Sequence, residues 1–134
     1  PVAGGRWEDR GIDDVSTEGP SAVWEWHAGT VKRHVITPED AGLARVDIRS
    51  MGAGDPEDNA AALRRLLDGA RDEATAAYRT SVAFAGALAL LVAGDEPLES
   101  LPAAARRVLG ALDDGSARVI LDRLVAASRR EQAE

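Results

Sequence analysis

Apolar and polar positions change period twice along the chain. Residues 21–37 alternate in the manner of strands. Val23-Trp24-Glu25-Trp26 and Val31-Lys32-Arg33-His34-Val35-Ile36 are β-prone runs with Ala28-Gly29 between them as a two-residue turn, which predicts a hairpin. That register places His27 beside the turn and His34 opposite Val23, and it puts Trp24 and Trp26 on one face. Packing of the two indoles against a neighbouring element is expected. Residues 41–54 are irregular, with one short strand expected at 44–48.

From Asp55 onward the period is helical. Asp55 is a good N-cap, Pro56 fits the first helical position, and Glu57 and Asp58 favour the positive end of the helix dipole. Leu63, Leu66 and Leu67 share one face, and Gly69 is a C-terminal stop. A second helix is expected over 72–93. Its later part, 82–92, is apolar on every side, which predicts a helix surrounded by protein. Its many Ala and Gly residues permit close approach of another helix. A third helix spans 100–112, with Leu101, Ala104, Ala105, Val108, Leu109 and Leu112 facing inward. Asp113-Asp114-Gly115 ends it, and Ser116 caps a fourth carrying Ile120, Leu121, Leu124 and Val125. The charged tail, 129–134, is expected to fray. The Gly- and acid-rich residues 1–20 read as loop.

Composition narrows the class. Hydrophobic residues are 45% and charged residues 29% of 134, a globular balance. Aromatics are only 4%, so Leu, Val and Ala must build the core. Sixteen basic against 23 acidic residues, net −7, argue against a nucleic-acid binder and against a protein of anionic membrane surfaces. The absence of cysteine excludes disulfides, thiolate catalysis and iron–sulfur clusters, and it suits a cytoplasmic location. The apolar run 82–93 is too short to cross a bilayer. Pro1-Val2-Ala3-Gly4-Gly5 lacks the charged start and apolar stretch of a signal peptide.

Three features carry candidate chemistry. Gly11-Ile12-Asp13-Asp14 sets two carboxylates in a glycine-led loop. Such a pair can hold magnesium, an ion that takes oxygen ligands, keeps several waters and bridges to phosphates. A solvated turn explains the same spacing. Met51-Gly52-Ala53-Gly54-Asp55 opens a helix as a phosphate cradle would, but its acidic first turn favours capping. His27 and His34 do not converge in the expected hairpin and have no evident third ligand. No nucleophile elbow, P-loop or zinc-protease motif is present.

Taken in order, several segments resemble the C-terminal half of anthranilate phosphoribosyltransferase. They are Gly11-Ile12-Asp13-Asp14-Val15-Ser16, Glu18-Gly19-Pro20-Ser21, the hairpin, and Thr37-Pro38-Glu39-Asp40-Ala41-Gly42-Leu43. Gly54-Asp55-Pro56-Glu57-Asp58-Asn59-Ala60-Ala61, Leu67-Asp68-Gly69, Leu90-Leu91-Val92-Ala93-Gly94 and Asp113-Asp114-Gly115-Ser116-Ala117 follow. The resemblance implies an α/β fold: the C-terminal half of the nucleoside phosphorylase/phosphoribosyltransferase domain, here one hairpin and about four helices. Residues 1–134 would form a single partial domain, with a metal-bearing loop at 1–20, the hairpin at 21–37 and a helical part at 55–127. It implies Asp13 and Asp14 as magnesium ligands, with Asp14 standing where the family has Glu. Ala85-Gly86 stands where the family has Asn-Ala. The implied reaction joins anthranilate to the ribose of phosphoribosyl pyrophosphate and releases pyrophosphate. The implied partners are that sugar, an anthranilate-like acceptor, an N-terminal part carrying the Gly-rich phosphate loop, and a second copy of the chain. No nucleic acid or membrane is expected. The alternatives are a non-catalytic partner-binding module of the same fold, or ribosyl transfer to another acceptor.

Overall fold

The computed structural model describes residues 2–7, 10–51 and 54–131. Four antiparallel strands, β1 (Val2–Trp7), β2 (Arg10–Ile12), β3 (Ser21–His27) and β4 (Thr30–Ile36), form a sheet in the order β2-β1-β3-β4. Four helices follow: α1 (Pro56–Leu67), α2 (Glu73–Gly94), α3 (Leu101–Asp113) and α4 (Ser116–Glu131). The expected α/β class, hairpin and four helices are all present.

The hairpin forms in the expected register, with Val23 opposite His34 and His27 opposite Thr30. Ala28 (φ 47°) and Gly29 (φ 81°) make the turn. Two left-handed residues match the strand twist, and Gly29 adopts that conformation without a side-chain clash. The helix boundaries follow their caps. The Asp55 carboxylate accepts the Asp58 amide at 2.9 Å, and the Asp72 carboxylate accepts the Thr75 amide at 3.1 Å. Gly69 (φ 82°) turns the chain after α1, and Gly115 (φ 79°) turns it between α3 and α4.

Two readings of strand and loop are corrected. Residues 1–20 are not all loop, because β1 pairs with both β2 and β3. Two glycines and an arginine interrupt the alternation of Val2-Ala3-Gly4-Gly5-Arg6-Trp7. What makes this segment a strand is backbone pairing with its neighbours, which overrides a weak local preference. Residues 44–48 form no strand. The Val46 amide donates to the Thr17 carbonyl at 3.0 Å without forming a strand ladder, and the chain then coils into a 3-10 turn, Ile48–Met51. Of the charged tail, residues 129–131 continue α4, and 132–134 lie outside the described residues.

The core has two connected parts. Val23, Ile36 and Ala41 meet Phe84, Ala87, Leu88 and Leu91 of α2 and Leu101, Ala104 and Ala105 of α3. Leu66 and Leu67 of α1 meet Leu112, with Tyr78, Val82, Ala117 and Leu121 packed around them. α2 therefore touches both parts. A Cβ built on Gly86 would lie 3.1 Å from Val108 Cγ2, so the missing side chain sets the α2–α3 distance. Over Thr75–Gly94, α2 is long and apolar enough to cross a membrane by length and composition, which corrects the reading from the 82–93 run alone; 28% of that stretch is buried, Phe84, Ala87 and Leu91 among it. The expectation that 82–92 is surrounded on every side is corrected. Ala89, Val92 and Ala93 are exposed, because α3 and the sheet cover one side of the helix.

Asp113 joins the end of α3 to α2. Its Oδ1 accepts from Arg79 Nη2 at 2.6 Å and from Arg71 Nη2 at 2.8 Å. Arg79 is largely buried, so this carboxylate compensates a charge that has little access to water.

Phe84 has no exposed surface, and Phe84→Ala is expected to cost about 3–5 kcal/mol of stability in urea unfolding. Two glycines should respond in opposite directions. Gly86→Leu forces α2 from α3 and should cost about 1–3 kcal/mol. Gly110, inside α3 with open space around its Cα, should gain about 1 kcal/mol as Gly110→Ala.

Candidate functional site

Asp13 and Asp14 lie in the loop joining β2 to β3, and both are exposed. One side of this loop is fixed by buried polar residues. Val15, Ser16 and Thr17 are buried, and the Ser16 amide donates to Ser21 Oγ at 2.7 Å. Thr17 Oγ1 donates to the Val46 carbonyl at 3.0 Å, reciprocating the backbone bond between the same residues. Glu18 reaches the same strip, where its Oε1 accepts the Ile48 amide at 3.0 Å. The carboxylate pair thus sits at the rim of a loop whose following residues cannot shift freely.

Asp14 Oδ1 accepts the amide of Val15 at 2.7 Å. That bond fixes one oxygen close to the backbone. Among the described residues, neither Asp13 nor Asp14 is ion-paired. Among the described residues no group of three or more His, Asp or Glu side chains is placed to hold a metal ion. Two neighbouring, exposed carboxylates are still a fitting donor set for magnesium, whose remaining positions are commonly filled by water and phosphate oxygens.

The strip that anchors the loop carries perturbed carboxylates. The Arg49 backbone amide, donating at 2.8 Å, holds Asp47 below the usual carboxylate range. The Arg45 guanidinium, donating at 2.6 Å, does the same for Glu39. Arg45 also donates to the Glu18 carbonyl at 3.2 Å, tying this pair back to the loop.

The other two candidates resolve differently. At the start of α1 the capping reading holds: Asp55 caps, and Asn59 Nδ2 donates to the Gly54 carbonyl at 3.1 Å. A Cβ on Gly54 would meet Asp58 Cβ at 2.5 Å, so glycine is needed there for close approach. Gly52 and Ala53 lie outside the described residues.

The histidines do not converge, as read: His27 is exposed, His34 is half-buried, and each meets a different carboxylate. Alternation along β3 and its register with β4 put Val23, Glu25, His27 and His34 on one sheet face, and both imidazoles line one cleft beside the end of α2. His34 Nε2 lies 2.9 Å from Glu25 Oε2, and His27 Nδ1 lies 3.6 Å from Asp95 Oδ1. Sequence reasoning missed this grouping because Asp95 is some sixty residues from the hairpin. Trp24 is 43% exposed, with the Arg33 guanidinium of β4 5.7 Å from its ring centroid, and Trp26 is 68% exposed.

Residues 7–118 match the glycosyl transferase family, α/β domain, and the chain belongs to that family. The anthranilate phosphoribosyltransferase of Parvibaculum lavamentivorans is 45% identical over 118 residues, covering 88% of this chain and 33% of the relative. That of Methylobacterium nodulans is 42% identical over 118 residues with the same coverage. The chain therefore spans about a third of the length of the curated relatives it matches. Among solved structures, anthranilate phosphoribosyltransferase from Saccharomyces cerevisiae in complex with 4-fluoroanthranilate superposes with a TM-score of 0.61 at 16% identity, over 80% of this chain and 30% of that one. A variant of the yeast enzyme with Mg bound gives 0.56 at 18% identity. At those identities the likeness concerns the fold.

The lowered carboxylates fix the sign of the acid response. Each stabilises the folded chain fully above its ordinary value, 3.8 for Asp47 and 4.5 for Glu39, and loses that contribution as pH falls through its lower folded value. The melting temperature should hold from pH 7 to about 5 and fall below about 4, and Asp47→Asn should shallow that fall. A melting series in pH with both proteins checks this.

Proposed function

We propose that this chain is the magnesium-holding C-terminal portion of a phosphoribosyltransferase of the anthranilate type. In that reading the anthranilate nitrogen bonds to the anomeric carbon of phosphoribosyl pyrophosphate as the bond to pyrophosphate breaks. The observation that carries the proposal is the extended match to named anthranilate phosphoribosyltransferases across most of this chain, with Asp13 and Asp14 exposed at the rim of an anchored loop.

Asp13 and Asp14 would hold the magnesium ion. Bound there, the ion supplies positive charge against the negative charge that builds on departing pyrophosphate. The chain's own contribution is positional. Residues 15–18, latched to the 46–48 strip, keep the carboxylate pair at one place relative to the sheet. The net charge of −7 makes this acidic rim a poor seat for a diphosphate without a cation between them. A bed of backbone amides for the phosphates would come from an N-terminal part, as would the pocket for the acceptor. The absence of cysteine agrees with action in the reducing cytoplasm.

The test uses this chain together with the polypeptide that supplies the rest of the enzyme. Magnesium-dependent binding of phosphoribosyl pyrophosphate is measured by calorimetry, and turnover is followed with anthranilate. Asp13→Asn is expected to abolish the magnesium dependence and lower turnover by about 100-fold or more while leaving the circular dichroism unchanged. Undiminished turnover in Asp13→Asn refutes the metal assignment. A chain that stays monomeric and ignores the sugar diphosphate under every pairing supports the non-catalytic module instead.

A further inference from the structure

The cleft between the hairpin and the C-terminal end of α2 gathers ionisable groups away from the carboxylate loop. It has a volume of about 350 Å³. That is at the small end of ligand sites, about 300–1,000 Å³. Its floor is apolar: Val23 from β3, Leu88 and Leu91 from α2, and Leu98 from the following turn. Its rim carries three carboxylates from different directions, Glu25 on β3 and Asp95 and Glu96 just past α2.

The charge at the rim has a consistent sign. The cleft lies at the negative end of the α2 dipole. Asp95 takes a left-handed conformation (φ 50°), and its amide caps the Leu91 and Val92 carbonyls. One carboxylate has a guanidinium partner, Glu96 with Arg107 Nη1 at 3.1 Å. Within the cleft Glu25 is paired with the imidazole of His34 and Asp95 with that of His27. Lys32 lies across the register from Glu25 but does not line the cleft.

These features select among ligand classes. An anion would meet three carboxylates. A divalent metal would gain nothing from the apolar floor, and no three-ligand group is placed for one among the described residues. A hydrocarbon would leave the acidic rim unused. A cationic head on an apolar body satisfies both parts, with the head between Glu25 and Asp95 and the body on Leu88, Leu91 and Leu98.

We propose that this cleft is a binding site for a small organic cation, a primary ammonium or guanidinium carried on an apolar body about the size of one aromatic ring. The inference rests on the cleft alone and stands apart from the metal assignment at Asp13 and Asp14.

Phenethylammonium is the probe, titrated into the protein in which this chain is isotope-labelled and joined by the polypeptide that supplies the rest, and followed by amide chemical shifts. Neutral 2-phenylethanol and anionic 3-phenylpropionate, of similar size, are the comparisons. The expected result is a dissociation constant below about 1 mM for the cation and binding at least tenfold weaker for the other two. The shifts should centre on Val23, Leu91 and Leu98. Asp95→Asn, a residue type that tolerates the left-handed backbone, and Glu25→Gln should each weaken the cation about three- to tenfold. The comparison of three probes on the unaltered chain decides the matter even if a variant fails to fold. Equal binding of all three, tighter binding of the anion, shifts elsewhere, or no binding up to about 10 mM overturns the proposal.

Discussion

Phe84, Ala87 and Leu91 of α2 and Leu101, Ala104 and Ala105 of α3 share one buried apolar cluster with Val23 and Ile36 of the sheet. Almost everything else in the molecule is positioned by it. Close approach of the two helices depends on residues with little or no side chain, Gly86 above all, because a Cβ there would press on Val108. Small residues bring backbones together but bury little area each, so one large residue must fill the remaining space. Phe84, the only phenylalanine, does so with no exposed surface. A chain with so few aromatics concentrates much of its packing in that ring.

The carboxylate loop is held by a different kind of force. Its anchor consists of a reciprocal pair of hydrogen bonds between Thr17 and Val46 and single bonds from the Ser16 amide to Ser21 and from the Ile48 amide to Glu18. Each bond contributes little net stability, about 0.5–1.5 kcal/mol, but leaving a buried partner unmet costs more. The network is therefore selective more than strong: displacing the loop would strand several buried polar groups at once. That suits a rim whose proposed task is to keep two like charges adjacent. Neighbouring carboxylates repel, and a loop free to move would separate them unless a cation were already bound.

How much of this could be read beforehand depended on whether the signal was local. The helix starts at Asp55 and Asp72, the stops at Gly69 and Gly115, and the Ala28-Gly29 turn are written in one to four residues. The structure places each of them as read. β1 was illegible because its strand character comes from pairing with β3, and the alternation is broken by Gly4, Gly5 and Arg6. The exposure of Ala89 and Val92 was illegible because an all-round apolar helix states what it requires, not what the same chain supplies. At the site, Asp13 and Asp14 were visible as a pair, while the latch that anchors their loop joins residues about thirty apart. The histidine cleft needed both the hairpin register and the distant end of α2. In each failure the missing information was which remote segment would arrive.

The outward apolar positions bear on how the proposed remainder of the enzyme would be held. Trp24, Trp26, Val31 and Val35 form one exposed face of the hairpin, and Val92 marks another on α2. Fully burying a large apolar side chain is worth about 1.5–3 kcal/mol, and these residues are already partly covered. A single face of this size thus offers several kcal/mol. Joining two separate polypeptides costs about 4–15 kcal/mol in lost translational and rotational freedom before any contact contributes. One face alone would hold a separate chain weakly. A remainder that engaged both faces would be retained far better, and one continuous with this chain would avoid most of that entropic cost. The exposed tryptophans and the bare side of α2 are thus better matched to a covalently continuous or two-faced companion than to a small module docking on the hairpin alone.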